Sequence, residues 1–247
     1  MTAPTNAPPR TRADYGLDAP GVIRTLALVA VGLIGASIVL LTVGGPAGHR
    51  LGQTLLWPGI SFATTPCLML ASSRYGKLRA RDRLLGYLPL GGSETVLDVG
   101  CGHGLMLIGA ARRLPRGQAV GLDLWSQKDQ LANSAAATFA NAEAEGVRGR
   151  VTVKDGDMRA LPFDDASMDV VVSSLAIHNV PSVADRALAI REIARVVRPG
   201  GWAAIMDIAH VGDYAREFRR AGWTIERRGL TPWIFPPTQE LVARKPA

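Results

Sequence analysis

The spacing of apolar and polar positions divides the chain into two unlike parts. Residues 25–43 read TLALVAVGLIGASIVLLTV, with no charged side chain and no polar stripe at helical spacing. As a helix this run spans about 28 Å at ~1.5 Å per residue, against a bilayer hydrocarbon core of ~30 Å. A core helix of a soluble domain would carry a polar face, and a signal segment would be shorter and start earlier. Residues 51–73 form a second uncharged run, interrupted by Gln53, Pro58, Gly59 and Pro66. Proline is tolerated in membrane helices whose neighbours re-satisfy the freed carbonyls. This run predicts a second, kinked span, joined to the first by a turn from Gly44 to Arg50; a re-entrant or interfacial segment is the other reading. Residues 21–73 are thus expected to form a transmembrane hairpin.

Beyond residue 90 the pattern alternates. Short β-rich runs at residues 95–99, 119–123, 151–154, 169–173 and 202–208 are separated by helical spacing at 103–113, 129–145, 182–197 and 212–221. Two more strand-like runs follow, near 224–228 and 238–243. Repeated strand–helix units predict an α/β, doubly wound, mostly parallel sheet with helices on both faces.

Charge sharpens this division. The net charge is +7, yet residues 91–247 are almost balanced. Residues 74–90 hold Arg74, Lys77, Arg79, Arg81 and Arg83 against Asp82 alone, and predict a basic juxtamembrane helix. Arg10, Arg12 and Arg24 precede the first span, and the connecting turn holds only His49 and Arg50. The positive-inside rule then places both chain ends in the cytosol. A nucleic-acid partner is disfavoured, because the excess charge is juxtamembrane rather than spread over the globular part. Residues 1–20, rich in Pro, Thr and Ala, are expected to be a disordered tail. With only Cys67 and Cys101, neither a disulfide framework nor a cysteine metal site is expected, and no metal centre is suggested by the histidines.

The candidate chemistry lies at the end of the first strand after residue 90. Val96-Leu97-Asp98-Val99-Gly100-Cys101-Gly102-His103-Gly104 takes an apolar strand into a glycine-rich turn and then a helix. Ligands of such sheets bind outside the carboxyl ends of the strands. Asp123 ends the second strand, where a carboxylate can take both hydroxyls of a ribose. A dinucleotide site shares this layout but needs a third glycine, and that place holds Leu107 or Leu105 in the two possible registers. Asp98 would also repel a pyrophosphate and would favour a cationic ligand.

These motifs resemble the class I S-adenosylmethionine-dependent methyltransferases of the small-molecule, type 11-like kind. VLDVGCGHG is similar to the family's first motif and GLDLW to its acidic second. KDGDMRALPF, MDVVVSSLAIHNV and REIARVVRPGGWAAIMD follow in the family's order, so the resemblance covers roughly residues 76–247. It implies a Rossmann-like, seven-stranded sheet with a C-terminal antiparallel hairpin, and S-adenosylmethionine as cofactor. Gly100, Cys101, Gly102 and Gly104 would hold the methionine part, with Asp98 ordering the loop. Asp123 and Leu124 would take the ribose side, Asp157 and Met158 the adenine. Ser173 and Ser174 would lie near the methionine moiety. His178, in the turn after the fourth strand, is either a general base for a hydroxyl acceptor or a residue that shapes the pocket. Tyr75 would close over the cofactor or anchor at the lipid interface. Trp233 and Phe235 could line an apolar acceptor site, whereas Trp223 suits the core. The expected activity is methylation of a small, lipophilic acceptor by a membrane-anchored enzyme. The alternatives are a soluble acceptor with the anchor serving location, or a non-catalytic cofactor-binding membrane protein.

Overall fold

The computed structural model describes residues 12–126 and 133–247. It begins with two long antiparallel helices, α1 (Pro20–Val43) and α2 (Gly45–Ala71), joined at Gly44. The connection is shorter than the expected turn: His49 and Arg50 already belong to α2, which continues through Pro58 and Pro66. Small residues let the two backbones approach. A Cβ on Gly52 would meet the Leu41 side chain and the Ser37 carbonyl at 2.9 Å, and one on Gly59 would meet Ile34 at 2.8 Å. The buried Ser37 hydroxyl donates to the Gly52 carbonyl at 2.7 Å. Such small-residue contacts and interhelical hydroxyl bonds are the usual means of packing helices without a hydrophobic driving force between them.

α2 does not end the helix. A π-helical turn over Ser72–Gly76 carries the chain into α3 (Lys77–Gly86). Ala80, Leu84 and Leu85 of α3 are fully buried in the core of the following domain. The basic stretch is therefore an integral wall of the globular part, which starts well before residue 91. Only part of its charge faces solvent: Arg74 and Arg79 are exposed, while Lys77 and Arg81 are buried.

Seven strands follow: β1 (Thr95–Val99), β2 (Gln118–Asp123), β3 (Val151–Asp155), β4 (Met168–Ser174), β5 (Val197–Asp207), β6 (Thr224–Thr231) and β7 (Thr238–Arg244). Their order is β3-β2-β1-β4-β5-β7-β6. The first five are parallel; β7 runs antiparallel to both β5 and β6. Helices α4 (Leu105–Ala111), α5 (Ala135–Ala144), α6 (Val183–Val196) and α7 (Val211–Arg220) connect them. Two buried apolar clusters, one on each face, hold the layers together. Ser134 and Ser182 cap α5 and α6 by accepting from Ala137 N and Asp185 N. The helix expected from residue 129 thus begins at Ala135, and residues 127–132 lie outside the described residues. Trp223 is buried beside Phe218, as expected of a core residue.

Residues 12–19 correct the expected tail, the rest of which (1–11) lies outside the described residues. They form a strap tied to α3 and α5. Asp14 N donates to Asn141 Oδ1, and Asn141 Nδ2 donates back to Asp14 O, both at 2.8 Å. Tyr15 is buried among core residues. The Lys77 ammonium donates to the carbonyls of Tyr15 (2.9 Å) and Gly16 (2.5 Å) and pairs with Asp18 at 3.4 Å. Prolines and polar residues favour disorder only where nothing ties them down, and here a buried cation does so.

Candidate active site

The carboxyl ends of β1, β2 and β4 open into a cavity of about 690 Å³. Its floor is the first glycine-rich turn. Gly100 has φ +74° there, and a Cβ would stand 2.3 Å from the Ala176 Cβ, so only glycine fits both the conformation and the space. Gly100, Cys101 and Gly102 line the cavity. Gly104 does not: it precedes α4 and packs under Thr138 and Ile108.

The acidic groups divide their work. Asp98 is almost wholly buried and accepts from Leu107 N at 2.8 Å through Oδ2. Its Oδ1 has no hydrogen-bond partner among the described residues. Burial, with a smaller push from Asp123, raises its carboxyl to about 8, against the bond from Leu107. Asp123 accepts from Gly102 N (2.8 Å) and Trp125 N (2.7 Å), which ties the β1 and β2 turns together. Leu124 is exposed at the rim. Asp157 lines the cavity beside Met158, but Arg159 grips it through its guanidinium at 2.6 Å and its amide at 2.9 Å. That pairing holds the Asp157 carboxyl below its ordinary range. The Cys101 thiol is pushed up by burial and then by Asp98 and Asp123, which leaves it an inert wall. Of the two serines, only Ser174 reaches the cavity. Ser173 is buried and donates to Val99 O at 2.7 Å, so it ties β4 to β1 rather than facing a ligand.

His178 lies on a short 3₁₀ turn after β4 and lines the same cavity. Its Nδ1 stands 2.5 Å from Oδ1 of Asp207, although the contact is bent away from ideal hydrogen-bond alignment. Asp207, fully buried at the end of β5, also receives His178 N (3.0 Å), Ile208 N (2.8 Å) and the Tyr214 hydroxyl (3.3 Å). Burial and the Asp207 charge raise the Tyr214 hydroxyl, which keeps it a donor. Asp207 was visible in the sequence as the end of RPGGWAAIMD, but nothing local in the sequence links it to a histidine 29 residues earlier.

The strap and the helices supply residues that sequence reasoning missed. Tyr15, Asp18, Ala19, Met69 and Lys77 all line the cavity. Tyr75 does not: it is 68% exposed and is not part of the cavity wall. Tyr15 takes the covering place, and burial raises its hydroxyl to about 12. His103, which opens the α4 turn, lines the cavity at 7% exposure. Neither of its ring nitrogens has a partner among the described residues. On the acceptor side Ile208, Ile234, Phe235 and Pro236 complete the wall.

A methyltransferase domain, Methyltransf_11, matches residues 97–205. The dimethylglycine N-methyltransferase of Parasynechococcus marenigrum is 30% identical over 216 residues, covering 76% of this chain and 70% of that protein. The 27-O-demethylrifamycin SV methyltransferase of Amycolatopsis mediterranei is 36% identical over 129 residues, covering 52% of this chain and 44% of that one. Several of the curated relatives it matches are spanned over only about half their length. Among solved structures the [4+2]-cyclase SpnF superposes with a TM-score of 0.59 at 20% identity, over 69% of this chain and 82% of that one. The fold is thus that of the Rossmann-like methyltransferases, and the chain belongs to the class I S-adenosylmethionine-dependent methyltransferase family.

The residues present fit that family's cofactor. The orphaned Asp98 oxygen suits an ammonium, and the unpartnered His103 nitrogens on the same cavity wall suit a carboxylate. Gly100 lets the backbone come close, and Asp123, which accepts from Gly102 N, Trp125 N and Asn133 Nδ2, stands on the cavity wall.

Proposed function

We propose that the protein is a membrane-anchored enzyme that moves a methyl group from S-adenosylmethionine to a small lipophilic acceptor bearing an acidic hydroxyl. One observation carries this reading: a single cavity is lined by the Asp98–Gly102–Asp123 set, by His178, and by Met69 from the apolar hairpin. When bound, the cofactor supplies an activated methyl on a sulfonium, so the protein mainly aligns, desolvates and handles the proton. Gly100, Gly102 and Asp98 would hold the methionine end, Asp123 and Leu124 the ribose, and Asp157 and Met158 the adenine. His178 would take the acceptor's proton on Nε2, the ring nitrogen not turned to Asp207. Asp207 would fix the ring and stabilise the imidazolium that forms. The two relatives named above take an oxygen acceptor and a nitrogen acceptor by their names, so the case for a hydroxyl rests on His178 and Asp207.

Anchoring is supported by exposure as well as composition. Two helices are long and apolar enough to cross a membrane, yet only 11% and 17% of their apolar windows are buried. A core helix would be mostly buried. Val31, Ile38, Val43, Leu51 and Trp57 instead stand in the open, an area that water would not tolerate uncovered. In this reading α1 and α2 form the anchor, both chain ends are cytosolic, and the exposed Arg24, Arg74 and Arg79 face anionic headgroups.

The test is a methyl-label partition. The purified full chain, methyl-tritiated S-adenosylmethionine and a host extract containing membranes are incubated, then separated into organic, aqueous and macromolecular phases. The expected result is label in the organic phase that disappears with His178→Ala. Label confined to the aqueous phase would show that the hairpin serves location only, and no label in any phase would favour a non-catalytic role.

A further inference from the structure

The turn that carries His178 is held from behind as well as from the cavity. Ile177–Asn179 form its 3₁₀ core, and His178, Asn179, Val180 and Pro181 line the cavity. Ile177 is fully buried, and His178 N donates to Asp207 Oδ2 at 3.0 Å. These contacts fix the start of the turn. Its end is held by Arg186, at the start of α6. Nη1 of Arg186 donates to Val180 O at 2.7 Å and to Pro181 O at 3.0 Å, so one nitrogen bridges two successive carbonyls.

Arg186 is a costly residue to bury. It is 6% exposed, and its Nε has no partner among the described residues. It does not line the active-site cavity. It lines instead a second cavity of about 240 Å³ between α6 and α7, with Val183, Ile190 and Tyr214. The two acids of that second cavity are engaged elsewhere, Asp213 by Arg216 at 3.1 Å and Glu217 by Arg220. A buried cation held by neutral carbonyls alone recovers only part of its desolvation cost, and an apolar side chain would avoid that cost. What the guanidinium adds is geometry, because its donors sit in a fixed plane. Beside it the buried Tyr214 hydroxyl donates to Asp207 Oδ2 at 3.3 Å. The Arg186 charge eases that hydroxyl back against burial and Asp207, which raise it, so guanidinium and hydroxyl are electrostatic neighbours. One buried polar layer thus backs both the His178 turn and the carboxylate that faces its ring.

We propose that Arg186 is a positioning residue for the methyl transfer: by clamping the Val180 and Pro181 carbonyls it sets the direction in which His178 projects into the cavity. This rests on the proton-accepting role given to His178 above. Without the clamp the turn stays tethered at Asp207, but its far end is free to shift. A misplacement on the order of 1 Å is enough to cost about 10²-fold in rate. Asp98, Gly100 and Asp123 stand on β1, β2 and the turn between β1 and α4, and the clamp does not touch them.

Two measurements test it. The first needs no acceptor. The full chain is held in detergent micelles with its histidine ring nitrogens isotope-labelled, and the ring signals are read by NMR. The chain has four histidines, and the His178 signal is the one lost in His178→Gln. Arg186→Met keeps a stem of similar length and removes the guanidinium. It should move the His178 signal and leave those of His49, His103 and His210 in place, whereas Arg191→Gln, at an exposed position of α6, should move none. An unmoved His178 signal in Arg186→Met overturns the assignment, and movement of all four would make Arg186 a general support of the fold and overturn it too. The second measurement is transfer of label from methyl-tritiated S-adenosylmethionine to the membrane-containing host extract, summed over all phases. Arg186→Met should lower it by about 10²-fold while S-adenosylhomocysteine affinity, read by calorimetry, is unchanged. Arg186→Lys, a cation that can still reach a carbonyl, should fall between Arg186→Met and the unsubstituted protein. A deeper loss in Arg186→Lys than in Arg186→Met would trace the effect to the buried charge, and lost S-adenosylhomocysteine binding would trace it to the cofactor end; either overturns the clamp. Full transfer by Arg186→Met beside an inactive His178→Ala also overturns it, whereas full transfer by both variants would instead sink His178 as the base.

Discussion

Asp98 is the residue whose environment is most at odds with its chemistry. A carboxyl that burial lifts from 3.8 to about 8 stays protonated in the folded protein at neutral pH and ionises on unfolding. The folded state then binds the extra proton, so Asp98's contribution is fully present below about 4 and is lost as pH rises through about 8. In thermal melts without cofactor, the unsubstituted protein should lose Tm over that window relative to Asp98→Asn. Parallel Tm profiles for the two would show that Asp98 is not held protonated. His178 and Asp207 make a second residue-scale claim. His178→Ala should lower kcat by roughly 10²–10⁴-fold, the usual worth of a general base, with S-adenosylhomocysteine affinity intact. Asp207 touches no ligand position, so Asp207→Asn should lower kcat less, by about tenfold, and shift the acid limb of the kcat profile. The double variant should resemble His178→Ala alone, because the two act as one unit. Equal kcat in His178→Ala would leave the ring a pocket wall. Among the residues that line the cavity, Asp98, Gly100, Gly102, Asp123, Asp157, Met158 and His178 were legible because each lies in a local motif at or near a strand end. Asp207, which meets His178 across 29 residues, and Tyr15 and Lys77, which meet each other across 62, were not, and neither was Met69.

At the scale of elements, the parallel sheet was legible because its strands are short apolar runs punctuated by glycine and by capped helices, and β1, β4 and β5 are buried on both faces. Two elements read differently once folded. The 74–90 segment presents five cations in the sequence and therefore resembles a solvated face, yet Ala80, Leu84 and Leu85 point into the core. Its buried Arg81 lies along Gly109 of α4, where a Cβ would meet the arginine stem at 2.4 Å, so a charged residue packs by its aliphatic part. The strap was illegible for a different reason. Composition reports how poorly residues 12–19 could build a core of their own, but not that Lys77 and Asn141 elsewhere offer them backbone partners. A π-helical turn at Ser72–Gly76 is likewise invisible to a 3.6-residue pattern. Its single-turn widening lets Gly76 touch the Trp233 backbone, and such turns recur at functional sites.

At the scale of the whole molecule, the apolar hairpin and the domain that holds the cavity are one mechanical object. Helix runs without a break from Gly45 to Gly86, so the apolar hairpin and the wall of the cavity share an axis. The strap ties the other end: Asp18 N donates to the Ser73 hydroxyl at 3.1 Å, one residue before Ala19 lines the cavity and two before α1 begins. Both ends of the hairpin thus return to the domain, which places its tip, Gly44–Gly45, as far from the active site as the chain allows. If the hairpin crosses the bilayer, the tip and the domain lie on opposite sides, as the excess of arginines at its base requires. This can be read in cells. In a Cys67→Ser background, where Cys101 is buried, single cysteines are introduced by Ala47→Cys near the tip and by Leu230→Cys on the exposed face of β6. A membrane-impermeant maleimide applied to intact spheroplasts should label position 47 and spare position 230 until lysis. Labelling of neither before lysis would make the second run a re-entrant or interfacial segment. Labelling of both would place the domain outside the cell, away from any cytosolic supply of S-adenosylmethionine, and the function proposed here would fall with it.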